Sequence, residues 1–154
     1  MGNRQFKLLL AAITVALCAL FLGTSAWPLS PDEHYLIQMN ANVNVLADAV
    51  HMFGELLEKP AVNDSKWNLR MAECMASFET VSMTARKITP TPPFAKSHNT
   101  YIKAMDEIDA FRLLFTAGLN KKDLSLIAQA DTHWILAGEL LKQYALEVQE
   151  LEGK

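Results

Sequence analysis

Apolar residues recur along this chain at intervals of three and four. From Leu36 they fall at Met39, Val43, Leu46, Val50, Phe53 and Leu57. That alternation matches the turn of an α-helix, so these side chains form one stripe on a helix surface. Ser30-Pro31-Asp32-Glu33 stands just before it. Ser30 can accept from the first free amides, Pro31 suits a first helical turn, and Glu33 can reach back to close a capping box. Pro60 stops the helix near Glu58 or Lys59, because the residue before a proline avoids the helical region.

Three more stripes follow. Asn63-Asp64-Ser65 opens a second helix, with Asp64 or Ser65 as its cap, and Trp67, Met71, Cys74, Phe78, Val81, Ala85 and Ile88 as its inner face. Thr89-Pro90-Thr91-Pro92-Pro93 cannot continue it, since three prolines remove amide donors and keep the backbone extended. Ser97 is the expected cap of a third helix carrying Tyr101, Met105, Ile108, Phe111 and Phe115. Gly118 or Asn120 is expected to close it in a left-handed conformation. Asn120 is also the expected cap of the fourth helix, with Asp123 favourable in its first turn. The fourth stripe runs through Ile127, Ala130, Trp134, Ala137, Leu141, Tyr144, Val148 and Leu151. Gly138 costs this helix about 1 kcal/mol of propensity relative to alanine, and is expected to permit a close crossing near Trp134.

These limits give helices of about 28, 24, 23 and 31 residues, roughly 35–45 Å long. Short connections make neighbours antiparallel, and each stripe needs apolar partners. The expected fold is all-α, an antiparallel up-down-up-down four-helix bundle with coiled-coil-like seams.

Residues 1–26 read differently. Arg4 and Lys7 precede an apolar run from Leu8 to Leu22, followed by Gly23-Thr24-Ser25-Ala26. A charged start, an apolar centre and small residues before a cut site describe a signal peptide, with Trp27 as the first mature residue. The run is shorter than the roughly 20 residues that span a bilayer. The expected location is the periplasm or the secreted space, with a membrane contact only if this segment is retained as an anchor. Bulky Leu17 before Cys18 argues against lipid attachment there. The expected domain is therefore 27–154, behind a leader at 1–26.

Charge narrows the partners. Loss of Arg4 and Lys7 with the leader moves the net charge from −3 to −5. No basic stripe exists to track phosphates, so nucleic acid is not an expected partner. Beyond the leader the chain holds one cysteine, Cys74, which rules out an internal disulfide there and leaves stability to packing.

The polar residues yield one candidate centre. Counted from the end that holds the first and third connections, His51, Cys74, Asp109 and His133 lie at similar depth. Imidazole, thiolate and carboxylate together suit zinc or another borderline metal. Against it, His51 is one position off Val50 and His133 one position off Trp134, which turns both toward a boundary or solvent. A dinuclear carboxylate site calls for Glu-x-x-His repeats, and the chain has none. Covalent haem is excluded by the lack of Cys-x-x-Cys-His. Met39 and His133 differ in depth by about 12 Å, too far for axial ligands of one haem; His98 lies at a better depth. No cofactor is expected. Methionines such as Met71 and Met75 read as fillers of irregular gaps between helices rather than soft-metal ligands. Ser77, Thr80 and Thr84 follow one face of the second helix without a base beside them.

The sequence thus describes an exported bundle of the cell envelope that binds or supports rather than transforms. A protein partner or homo-oligomer is expected ahead of a small apolar ligand. The alternative is a metal-binding protein or enzyme that uses His51, Cys74, Asp109 and His133.

Overall fold

The computed structural model describes residues 28–152, so the leader and its cut site lie outside the described residues. Within them the secondary structure is helical: α1 (Pro31–Glu58), α2 (Ser65–Ala85), a short 3-10 turn (Pro92–Phe94), α3 (Ala95–Lys121) and α4 (Leu124–Glu152). The four helices form a bundle in which each packs on the next along the chain, most extensively between α3 and α4.

The start of α1 is built as its sequence requires. Ser30 Oγ accepts from the Glu33 amide at 3.2 Å, while Glu33 Oε2 accepts from the Ser30 amide at 2.7 Å. Asp64 caps α2, accepting from the amides of Lys66 and Trp67.

The other boundaries depart from expectation. α2 ends at Ala85, and Ile88 reaches the core from the turn beyond it. Ser97 does not cap α3. The 3-10 turn carries the chain into α3 three residues earlier, with Phe94 at the cap position, and Ser97 is buried within the helix, donating to the Phe94 carbonyl at 3.1 Å. Neither Gly118 nor Asn120 takes the left-handed conformation, which falls to Lys122 with φ 54° and ψ 39°. Asp123, not Asn120, caps α4: its Oδ1 accepts from Ser125 and Leu126 amides at 2.9 and 3.4 Å.

Gly118 serves another purpose. A Cβ there would sit 2.7 Å from Ile127 Cγ1 and 3.2 Å from the Asp123 carbonyl oxygen. The missing side chain is what lets α4 turn back tightly against α3.

All of the stripe residues of α2 and α3 are buried, together with the centres of those on α1 and α4. At the ends of α1 the buried face rotates slightly, so Tyr35 and Leu56 are inside while Leu36 and Leu57 are half-buried. One aromatic layer draws on every helix. Phe53 of α1 meets Phe78 of α2, Phe111 and Phe115 of α3, and Trp134 of α4, with ring centroids 5.2–6.2 Å apart. Edge-on and tilted pairings at that spacing add attraction beyond area burial.

Candidate functional site

The bundle places its polar side chains along the three seams between consecutive helices and in one buried cluster. The α1–α2 seam is stitched by bonds to backbone carbonyls. Asn42 Nδ2 donates to Val81 at 3.1 Å, the Cys74 thiol to Ala49 at 3.3 Å and Trp67 Nε1 to Leu56 at 3.0 Å. The α1 members of these bonds, the donor Asn42 and the acceptors Ala49 and Leu56, recur every seven residues along the α1 face that addresses α2.

The α2–α3 seam is ionic. Ser82 donates to Asp109 Oδ2 at 2.6 Å, and Arg86 bonds to Ser82, to Asp106 at 2.6 Å and to Asp109 at 3.1 Å. Arg112 of α3 extends the group to Glu79 of α2 at 3.4 Å. On the α3–α4 seam, His133 Nδ1 lies 2.6 Å from Glu107 Oε2.

The buried cluster lies toward the end where α1 begins. Tyr101 donates to Asn42 Oδ1 at 2.8 Å, so one asparagine joins α1, α2 and α3. Tyr101 also packs on Tyr144 of α4 at 4.9 Å between centroids. Tyr35 Oη and His98 Nδ1 are 3.3 Å apart, and the Tyr35 ring rests on Phe94. Burial pushes the Tyr35 and Tyr101 hydroxyls above their ordinary range, and their mutual proximity to Tyr144 adds to it. Burial also lowers the His98 imidazole, which favours the neutral ring.

Glu147 of α4 is a buried carboxyl close to this end. Burial pushes its pKa up, but hydrogen bonds from Gln143, Thr100 and Lys96, with the Lys96 charge, outweigh that and leave it below the ordinary value. The Lys96 Nζ to Glu147 Oε1 distance is 3.1 Å.

The four residues singled out as a candidate metal centre occupy four different settings. His51 is exposed and lies 3.8 Å from Glu55, one turn along α1. Cys74 is buried and already donates to Ala49; burial pushes its thiol up to about 12, with Arg70 opposing weakly. A thiol held so far from its thiolate form is a poor ligand and a poor nucleophile. Asp109 belongs to the Ser82–Arg86 group and His133 to Glu107. Among the described residues, no three His, Cys, Asp or Glu side chains gather closely enough to hold a metal ion. Counting along the chain does not give proximity: Cys74, Asp109 and His133 close three different seams, His51 faces solvent, and Asp109 meets Ser82, about 12 Å along α2 from Cys74.

His98 and Met39 are both buried, and His98 is engaged with Tyr35, one turn before Met39 on α1. Trp67, Tyr101, Trp134 and Tyr144 are all core residues. An open depression follows the connection Pro60–Ser65, away from these groups. Sequence spacing did not reveal the Asn42–Tyr101 and Ser82–Asp109–Arg86 groups. The signal that could have pointed to them is the presence of Asn42 and Ser82 beside apolar stripe positions. No described helix is long and apolar enough to cross a membrane. Neither the family models, nor the curated proteins, nor the solved structures include a match to this chain.

Proposed function

We propose that this chain is an exported four-helix bundle that works by binding, as an envelope module with a protein partner or a second copy, and not by turning over a substrate. The observation that carries the reading is the way the chemically capable side chains are used. Cys74, Asp109 and His133 each close a bond between two helices, while His51 faces solvent beside Glu55. A reaction centre needs a nucleophile, a base and an orienting group converging on shared space, whereas these groups spread around the bundle.

Export rests on the leader pattern of residues 1–26. It is tested by expressing the full chain and measuring the mass of the purified protein. A mature N-terminus at Trp27 supports the reading. An intact Met1 in a soluble cytoplasmic fraction overturns it. The binding reading is tested against its metal-dependent rival on the same preparation. Stoichiometric zinc or copper, or a melting temperature raised by either ion and lost in His133→Ala, would replace it with the metal-dependent alternative.

A further inference from the structure

The first turns of α1 are held differently from the rest of that helix. The bonds Asn42–Val81, Cys74–Ala49 and Trp67–Leu56 set α1 and α2 in a single antiparallel register. In that register Gln38 lies opposite Ala85, the last residue of α2. Residues 31–37, about two turns, therefore extend past the end of α2 and face the turn that leads into α3. Among residues 28–38 only Tyr35 is buried, and Ile37 is 53% exposed. One side chain anchors both turns.

Tyr35 lies across Phe94 of the 3-10 turn and His98 of α3, which stand one helical turn apart. Its ring centroid is 5.0 Å from that of Phe94 and 5.8 Å from the imidazole, edge-on to the latter, and its Oη is 3.3 Å from His98 Nδ1. All three side chains are buried. Helix α1 makes no close backbone approach to the 3-10 turn or to α3, so at this end side chains carry the attachment.

The imidazole has no acidic partner among the described residues. On α1, Asp32 and Glu33 serve the helix start, and His34 bonds to Gln38. On α4, Glu147 is taken up by Lys96, Gln143 and Thr100, and Tyr144 acts on Tyr35. Beyond α2, Arg86 is committed to Asp106 and Asp109, and Lys87 is exposed. The 3-10 turn has no charged residue. Burial alone lowers the His98 pKa from its ordinary 6.5. A neutral ring suits this setting, since Nδ1 can accept from the Tyr35 hydroxyl; a protonated ring can only donate, and is a buried cation without a counter-charge.

We propose that His98 is an acid-operated clasp: protonation of its ring releases Tyr35 and Phe94 and lets the first two turns of α1 detach while the rest of the bundle stays folded. The clasp goes beyond the binding reading and does not depend on it. Detached turns fray, because short helical segments have little stability of their own. The open form takes up a proton more tightly than the closed form. Opening therefore grows about tenfold for each pH unit below 6.5, until the closed form is protonated as well. Release uncovers the rings of Tyr35 and Phe94, an aromatic surface that this end of the bundle presents only in acid.

Amide hydrogen exchange, followed by NMR on protein purified from cells expressing the full chain and corrected for the intrinsic effect of pH on exchange, tests this. At pH 7, openings at residues 34–38 should be at least about tenfold more populated than those at residues 46–53, and they should grow at least about fivefold by pH 5.5. His98→Gln should remove the growth. Tyr35→Phe should raise opening at pH 7 by about two- to tenfold, the loss of one hydrogen bond, and keep the growth. The amides of residues 46–53 report on folding in each variant. Exchange at residues 34–38 in step with residues 46–53 would show that the ring titrates only when the whole bundle unfolds, and overturns the proposal. Growth that persists in His98→Gln overturns it as well.

Discussion

Asn42 is buried where α1, α2 and α3 meet, giving a hydrogen bond to Val81 and accepting one from Tyr101. Truncating it strands the Tyr101 hydroxyl in the interior. A buried polar group left without a partner costs about 1–3 kcal/mol, so Asn42→Ala should destabilise by that order in urea melts. Asn42→Leu combined with Tyr101→Phe removes donor and acceptor together, and should cost less than the two single changes added. Strict additivity would show that the pair does not interact. His98 and Glu147 set the response to acid. The His98 pKa is lowered in the folded state, so the unfolded chain takes up a proton first as pH falls below about 6.5. Stability is whole above that point and declines below it. The Glu147 pKa is lowered too, so its contribution is present above the ordinary carboxyl range and is lost as pH falls through it toward the folded value. Urea midpoints measured across pH should fall in two stages, and His98→Gln should flatten the upper one. An upper stage that survives His98→Gln would assign it to another group.

At the scale of elements, the α3–α4 turn concentrates more specificity than its length suggests. Lys122 holds a left-handed backbone, which costs a residue with a Cβ about 1 kcal/mol relative to glycine. Lys122→Gly should therefore raise stability by about that amount, less the entropy glycine recovers on unfolding. Gly118→Ala should do the reverse, although alanine favours helix by about 1 kcal/mol. Its methyl would press on the Ile127 side chain and on the backbone at Ile127 and Asp123, and backbone cannot move aside as a side-chain tip can. The clash should outweigh the propensity and lower the thermal midpoint. A Gly118→Ala protein as stable as its parent would mean that the turn relaxes without cost. The same turn explains the displaced cap of α4: the tight reversal puts Asp123, and not Asn120, next to the first free amides.

For the whole molecule, the layer around Phe53 is where four helices become one cooperative unit. Its ring touches partners from α2, α3 and α4. Phe53→Ala should cost about 3–5 kcal/mol, partly as lost transfer energy and partly as a cavity that the surrounding rings cannot fill. That is a large share of the 5–15 kcal/mol that holds a typical domain folded. Leu113→Ala, on the exposed face of α3, should stay within about 0.5 kcal/mol. The useful measurement is chemical denaturation followed by both tryptophan fluorescence and circular dichroism. The two signals should shift together in Phe53→Ala, since the layer joins all four helices. A fluorescence change that runs ahead of the loss of helix would show that the layer melts alone.

The helices themselves were legible along the chain. Apolar spacing at Trp67, Met71, Cys74 and Phe78, or at Phe111 and Phe115, reports burial directly, because the helical repeat fixes which side chains share a face. The α1 start was equally clear, since Ser30 and Glu33 act within one turn and need nothing from the rest of the protein. Polar partners were not legible in this way. His51, Cys74, Asp109 and His133 count to similar depth along the chain, but counting fixes neither the exact register of neighbouring helices, which sets Asp109 beside Ser82 and not Cys74, nor the rotation of each helix about its axis. Those rotations come from how large rings and small residues fit across the seams, which is a property of all four helices at once. Local periodicity thus determined the elements and their inner faces, while tertiary packing alone decided that Asp109 would meet Ser82 and Arg86, that His133 would meet Glu107, and that Gly118 would serve a close crossing instead of a cap.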